Sequence, residues 1–260
     1  MKPIQRQIQI HCSYLRLFLH NQMKFTVLGF LLAGFVMPAW AGLFSVTPVR
    51  IYIAPKERAV AVTITNEGDE PLVMQADLYQ WKQKPDGKND LTLTEDLFLS
   101  PPIIKLAPKA RQVVRLARMN GVTPTDQLTY RMILREVPEA KPAKEQLEVQ
   151  IALAFSLPVF ITPPTAKRQL GCTVERLTTD SVKAICENTG NAYAYPAGFL
   201  LTNPAGEPLA RLESGDYILP GIKRSFDLTR KEGKIPAGKA ILAVSFDDGT
   251  SQNYDVSLAE

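Results

Sequence analysis

From Gly42 onward, short runs rich in Val, Ile, Thr, Tyr and Phe are broken about every eight to twelve residues by Pro, Gly, Asn or Asp. The clearest runs are Ala59 to Thr65, Leu72 to Trp81, Gln112 to Leu116, Tyr130 to Leu134, Leu147 to Leu157, Ser181 to Ile185 and Ala240 to Phe246. Apolar and polar positions exchange with a period of two, as in strands that lay one face on a core. Long helical periods are absent, and 20 prolines would interrupt most of them. The pattern predicts an all-β chain, and two immunoglobulin-like β-sandwich domains suit its length better than one. The boundary is placed at Pro158 to Thr165, where Ile161-Thr162-Pro163-Pro164-Thr165 reads as a short proline-containing hinge and prolines are expected to stop ladder pairing. The expected domains are therefore 42–160 and 161–260. Lys84-Pro85-Asp86-Gly87 predicts a hairpin turn, and Val137 to Gln146 a polar surface loop.

The segment before Gly42 has a different character. Met23-Lys24 supplies a short positive start, Phe25 to Met37 is an uncharged apolar run of 13 residues, and Ala39-Trp40-Ala41 has the small-x-small form of a signal-peptidase site. The run is shorter than the roughly 20 residues that span a bilayer, so cleavage before Gly42 is expected rather than an anchor. Translation is expected to start at Met23. Removing residues 1–41 takes away four basic groups and no acidic one, leaving 26 basic against 26 acidic residues.

Export changes the chemistry on offer. Both histidines, His11 and His20, precede the cut, so imidazole catalysis and histidine metal ligation are excluded from the mature chain. Cys12 is lost as well, leaving Cys172 and Cys186 as an even pair in an oxidising compartment. Thr178-Thr179-Asp180-Ser181 between them reads as a turn, and a hairpin there brings the two cysteines opposite one another. A structural disulfide is expected.

Leu147-Glu148-Val149-Gln150-Ile151-Ala152-Leu153-Ala154-Phe155-Ser156-Leu157 carries a large apolar residue at every odd position. As a strand it presents one hydrophobic ridge, which either fills the core of its own sandwich or faces a partner at an edge. Eleven residues is about twice the usual strand length, and a long apolar edge is an aggregation hazard unless pairing is its purpose.

In order and spacing, several segments resemble the periplasmic chaperones of the chaperone–usher pilus pathway. They are Val62-Thr63-Ile64-Thr65-Asn66, Ser100-Pro101-Pro102, Ile104-Lys105-Leu106-Ala107-Pro108, Val113-Val114-Arg115-Leu116, the stretch Tyr130 to Pro138, and Gln150-Ile151-Ala152-Leu153. The resemblance covers nearly the whole mature chain. It implies donor-strand complementation, a form of β-strand addition in which the chaperone lends a strand to an incomplete pilus subunit. Val149, Ile151 and Leu153 match the family's alternating positions, with Leu147, Phe155 and Leu157 as extensions. The implied partners are pilus or fimbrial subunits and an outer-membrane usher, and the implied compartment is the periplasm. Nucleic-acid binding, stable membrane insertion of the mature form, cofactors and catalysis are not expected.

The family also anchors the subunit's terminal carboxylate on two basic residues. Arg50 matches the first, but Pro158 stands at the second, as in the divergent archaic or alternative branch. Arg131, on the strand expected beside the ridge, is the candidate for a compensating charge, the alternative being a solvated surface residue. An acid–base–acid network commonly ties the two domains; Glu136 and Asp247 resemble its acids, while Thr162 replaces the arginine. The rival reading, a secreted adhesin or carbohydrate-binding sandwich, rests on loop aromatics: Trp81, Tyr193 and Tyr195. A hydrolase would need paired carboxylates, and Asp247-Asp248 read instead as turn residues.

Overall fold

The structure, a computed structural model, describes residues 44–259 apart from 85, 120, 122 and 139–151. The leader, the cut before Gly42, and Leu147, Val149 and Ile151 of the ridge lie outside the described residues. Among the described residues there are strands and no helices.

Ten strands build the first sandwich: β1 (Phe44–Thr47), β2 (Ile51–Ile53), β3 (Ala59–Asn66), β4 (Leu72–Gln83), β5 (Asn89–Leu93), β6 (Leu97–Ser100), β7 (Ile103–Leu106), β8 (Arg111–Arg118), β9 (Leu128–Glu136) and β10 (Ala154–Ile161). One sheet runs β1-β3-β8-β6 and the other β2-β10-β9-β4-β5, with β7 also on β4. The chain passes from the first sheet to the second at the cis bond Thr47–Pro48; Ser100–Pro101 is cis as well. Val62, Ile64, Val114 and Leu116 of one sheet meet Met74, Met132, Leu134 and Val159 of the other in a closed core. Alternation puts Ile51 and Ile53, Tyr130, Met132 and Leu134, and Leu157, Val159 and Ile161 inward. Their neighbours of opposite parity lie on the outer face of the larger sheet. There Pro158 stands opposite Arg131, Arg131 opposite Tyr79, and Phe160 between Tyr52 and Thr129.

Pairing does not stop at Pro158. In the β9–β10 ladder the Glu136 N–H donates to the Leu153 carbonyl, so the hydrogen-bonded pairs fall on the odd residues of β10. The Pro158 nitrogen therefore points away from β9, to the side where β2 joins only from Val159 onward. A proline is tolerated there because no ladder bond is asked of it. The expected hairpin at residues 84–88 forms, closed by Gly87 N–H to the Lys84 carbonyl at 2.8 Å.

Seven strands build the second sandwich: β11 (Leu170–Arg176), β12 (Ser181–Asn188), β13 (Pro196–Thr202), β14 (Pro208–Leu212), β15 (Lys223–Thr229), β16 (Gly238–Phe246) and β17 (Ser251–Leu258). They form one folded-over sheet ordered β11-β12-β15-β14-β13-β16-β17, closed where the Tyr254 hydroxyl donates to the Leu170 carbonyl at 2.8 Å. Val182, Ala184, Leu201, Leu242 and Val244 fill its core.

Cys172 and Cys186 face each other across β11 and β12, with Cα atoms 4.1 Å apart, and are bonded. The bridge spans 14 positions of sequence, a loop whose closure is worth about 3 kcal/mol. The double variant Cys172→Ala/Cys186→Ala is therefore expected to lose about that much, chiefly in the second sandwich. Urea titration of the variant beside the oxidised parent measures it, and midpoints that coincide would contradict the expectation.

The two sandwiches meet over a third apolar cluster in which Trp81, Phe160, Tyr217 and Leu219 are buried, flanked by Tyr193 and Tyr195. These aromatics are thus packing residues and not the exposed loop aromatics that an adhesin reading requires. Glu136 is not at this junction. Leu128 stands opposite Ile161 and β9 then runs away from the junction, so at about 3.3 Å per residue Glu136 ends up some 25 Å along the sheet. There its carboxylate accepts the Leu153 N–H. Thr162 instead accepts a hydrogen bond from Gln127 at 2.9 Å.

Candidate functional site

β10 pairs with β9 along its whole length but with β2 only at Val159–Ile161. Among the described residues, nothing pairs with the other side of Ala154–Pro158. Side chains change role along this strand. Leu157, an expected extension of the partner-facing ridge, is 5% exposed and belongs to its own core, whereas Phe155, two residues earlier on the same parity, is 41% exposed. Leu153 is half-buried.

Phe155 packs edge-on against Phe44, with ring centroids 4.6 Å apart. Phe44 opens β1, the edge strand of the other sheet. Among the described residues the sandwich thus presents two backbone edges without a partner strand, joined by an aromatic pair. Rows of free N–H and C=O groups are a template for adding a strand.

Arg50 sits at the bend before β2. Because Ile51 and Ile53 turn inward, Arg50 and Tyr52 turn to the outer face, toward the second sandwich. Its Nη1 pairs with Asp247, in the turn after β16, and donates to the Tyr193 hydroxyl at 3.5 Å. Its guanidinium lies 5.4–5.9 Å from the ring centroids of Tyr193, Tyr195 and Tyr217. Arg131 reaches the same place from β9. Its guanidinium stacks 3.7 Å over Trp81 and 5.4 Å from the Tyr217 centroid, and Nη1 donates to the Ser156 carbonyl at 3.4 Å. The two arginines therefore share the Tyr217 ring. Asp247 neutralises Arg50, while Arg131 makes no ion pair with a carboxylate among the described residues.

Burial works against the Arg131 charge, with Tyr217 and Asp216 offsetting part of it. Burial likewise opposes the Arg50 charge, but Tyr217, Tyr193, Tyr52 and Asp247 outweigh it and hold the group above its ordinary value. Arginine remains charged at neutral pH in either case. Burial pushes the Tyr193 and Tyr217 hydroxyls up, so both rings stay neutral beside the two cations. A cleft of about 290 Å³ opens beside Arg50, bounded by Tyr52, Tyr193, Arg168 and Asp247. Asp248 does not join Asp247 as a carboxylate pair, since Arg168 holds it at 2.7 Å and keeps it well below the usual carboxylate range.

Of the residues singled out from sequence, the fold brings Arg50 and Arg131 together, and sets Phe155 at an open edge. Sequence reasoning missed Tyr217 as the ring beneath both arginines, and Trp81 as the floor under Arg131. Alternation along β4 assigns Trp81 to the face opposite Met74 and Leu78, which was a signal, but what covers that face is carried by residues far away in sequence.

Residues 43–167 match the family of pili and flagellar-assembly chaperones, PapD N-terminal domain. A chain in the crystal structure of the CsuC-CsuE chaperone-tip adhesion subunit pre-assembly complex, from archaic chaperone-usher Csu pili of Acinetobacter baumannii, is 20% identical. The match covers 84% of this chain and 100% of that one, with a TM-score of 0.59. The E. coli chaperone DraB is 20% identical over 84% of this chain and 97% of its own, at a TM-score of 0.54. A chain of the Salmonella enterica SafA pilin in complex with the SafB chaperone is 15% identical over 84% of this chain and 97% of its own, also at 0.54. At such identities the likeness is one of fold: two β-sandwiches in tandem. No curated protein matches the sequence.

Proposed function

We propose a function for a chain that belongs, through residues 43–167, to the pili and flagellar-assembly chaperones: in the periplasm it captures pilus or fimbrial subunits by donor-strand complementation, keeps them from aggregating and passes them to an outer-membrane usher. The observation that carries this reading is the edge of β10 at Ala154–Pro158, which pairs with no strand among the described residues, beside the outer edge of β1. An incoming subunit strand gains ladder hydrogen bonds from that edge, and apolar side chains at alternate positions give it register. Leu147, Val149, Ile151, Leu153 and Phe155 supply the alternate positions. Fully burying each such side chain is worth roughly 1.5–3 kcal/mol, so a few of them hold a subunit that is unstable alone.

The two arginines complete the site as an anchor for the subunit's terminal carboxylate. Pro158 and Arg131 are cross-strand partners on one face, so the Arg131 cation stands beside the position where the resemblance places the family's second basic residue. A guanidinium holds a carboxylate through two parallel, charge-assisted hydrogen bonds.

Charged replacements test the strand. Ile151→Asp and Leu153→Asp are each expected to lower subunit co-purification from periplasmic extracts about tenfold or more, while the melting temperature stays within a few degrees of the parent. A large fall in melting temperature with capture intact would instead make these residues core residues of their own sandwich, and the strand-donor reading would fail.

A further inference from the structure

Two buried amides cross the junction between the sandwiches and end on the residues that carry the arginine site. Gln83, at the end of β4, donates from Nε2 to the Tyr217 carbonyl at 2.9 Å and accepts the Leu219 N–H on Oε1 at 3.0 Å. Gln127, just before β9, accepts the Tyr193 N–H on Oε1 at 2.9 Å and donates from Nε2 to Thr162 at 2.9 Å. Its own N–H donates to the Asn191 carbonyl at 2.8 Å. Both side chains are buried, at 8% and 6% exposure. A carboxamide is both donor and acceptor, so Gln83 fixes two points on the opposing backbone, and Gln127 fixes one while its Nε2 is held by the Thr162 hydroxyl.

The backbone held in this way belongs to Tyr217 and Tyr193. Tyr217 is the ring shared by the Arg50 and Arg131 guanidiniums, and Tyr193 takes a hydrogen bond from Arg50 while stacking on Phe160 at 4.4 Å. We propose that Gln83 and Gln127 are positioning residues, which set the spacing of Arg50 and Arg131 by holding the backbone of these two tyrosines. The proposal rests on the reading of the two arginines as a carboxylate anchor. Both clamps are neutral, so their own hold is not screened by salt, unlike the Arg50–Asp247 ion pair that crosses the same junction. Arg224 also donates to the Tyr217 carbonyl, at 3.0 Å, so removing the Gln83 amide leaves that carbonyl partnered and orphans only the Leu219 N–H. The second sandwich therefore keeps its own loop and the Trp81–Tyr217 ring contact while losing its hydrogen bonds to β4.

N-acetyl-tyrosine and N-acetyl-tyrosinamide serve as probes, one with a carboxylate and one without, followed by the Nε–Hε NMR signals of Arg50 and Arg131. In the parent protein the carboxylate probe is expected to shift both signals along one saturation curve, and the amide to shift neither. In Gln83→Met and in Gln127→Leu the carboxylate affinity is expected to fall about tenfold, with the two signals no longer moving together. Each variant tests the idea separately, should the other not fold. A parent protein that ignores the carboxylate overturns the anchor reading and the positioning role with it. A parent response that persists unchanged in folded variants, whatever their melting temperatures, overturns the positioning role alone.

Discussion

Phe160→Ala is expected to cost about 3–5 kcal/mol and to separate the melting of the two sandwiches into distinct transitions. Phe160 is fully buried and lies among Tyr193, Tyr52, Tyr217 and Trp81, with ring centroids 4.4, 5.6, 5.8 and 6.2 Å away. It stands on the outer parity of β10, whereas Val159 and Ile161 on either side point into the core of the first sandwich. The cavity left by alanine therefore opens at the junction and not in either main core. Tyr193 and Tyr217, drawn from loops of the second sandwich, cannot both follow the missing ring while their backbones are held by Gln127 and Gln83. Differential scanning calorimetry reads the outcome. One undivided transition, lowered by less than about 1 kcal/mol, would mean that the aromatic cluster does not couple the sandwiches.

Replacing both Arg50 and Arg131 by alanine is expected to lower subunit capture about a hundredfold, since hydrogen bonds to charged groups are worth roughly 1.5–3 kcal/mol each. The single variants are not equivalent. Arg50→Ala strands Asp247, whose partner it is, so it carries a stability cost of its own. Arg131→Ala leaves no carboxylate behind among the described residues and gives up a stack on Trp81 worth about 0.5–1 kcal/mol. It is the cleaner probe. Arg50→Lys is expected to restore capture only in part, because lysine keeps the charge and loses the fork. Subunit yield from periplasmic extracts, compared across both singles and the double, decides the matter. Equal yields from all folded variants would leave recognition to the apolar strand alone.

Much of this architecture is legible in local pattern. Period-two alternation in Tyr130 to Leu134 states which side chains face a core, because a strand turns successive residues to opposite faces whatever surrounds it. The same logic puts Arg131 on the outer face, and turn residues between Cys172 and Cys186 bring the cysteines into register. The all-β class follows from composition and spacing together.

What alternation does not carry is the identity of the layer that each face meets. Leu157 and Phe155 share one parity, yet one closes a core and the other stands at an edge, because Leu157 packs among the side chains of the inter-sheet core while Phe155 meets Phe44 at the start of the edge strand β1. Trp81 has the composition of an exposed loop aromatic but is buried, because a second sandwich lies over the end of β4. Pro158 has the chemistry of a strand breaker and is accommodated, because its nitrogen faces away from β9, to the side where β2 joins only from Val159 among the described residues. Glu136, matched by resemblance to the domain junction, is carried to the far end of β9 by register. Local pattern carries the all-β class, the inward faces of runs such as Tyr130 to Leu134 and the disulfide partners, since each depends on residues within about fifteen positions of one another. The site itself arises from long-range packing, because Gln83 meets Tyr217 across 134 positions and Arg50 meets Asp247 across 197, and no local period encodes contacts at that range.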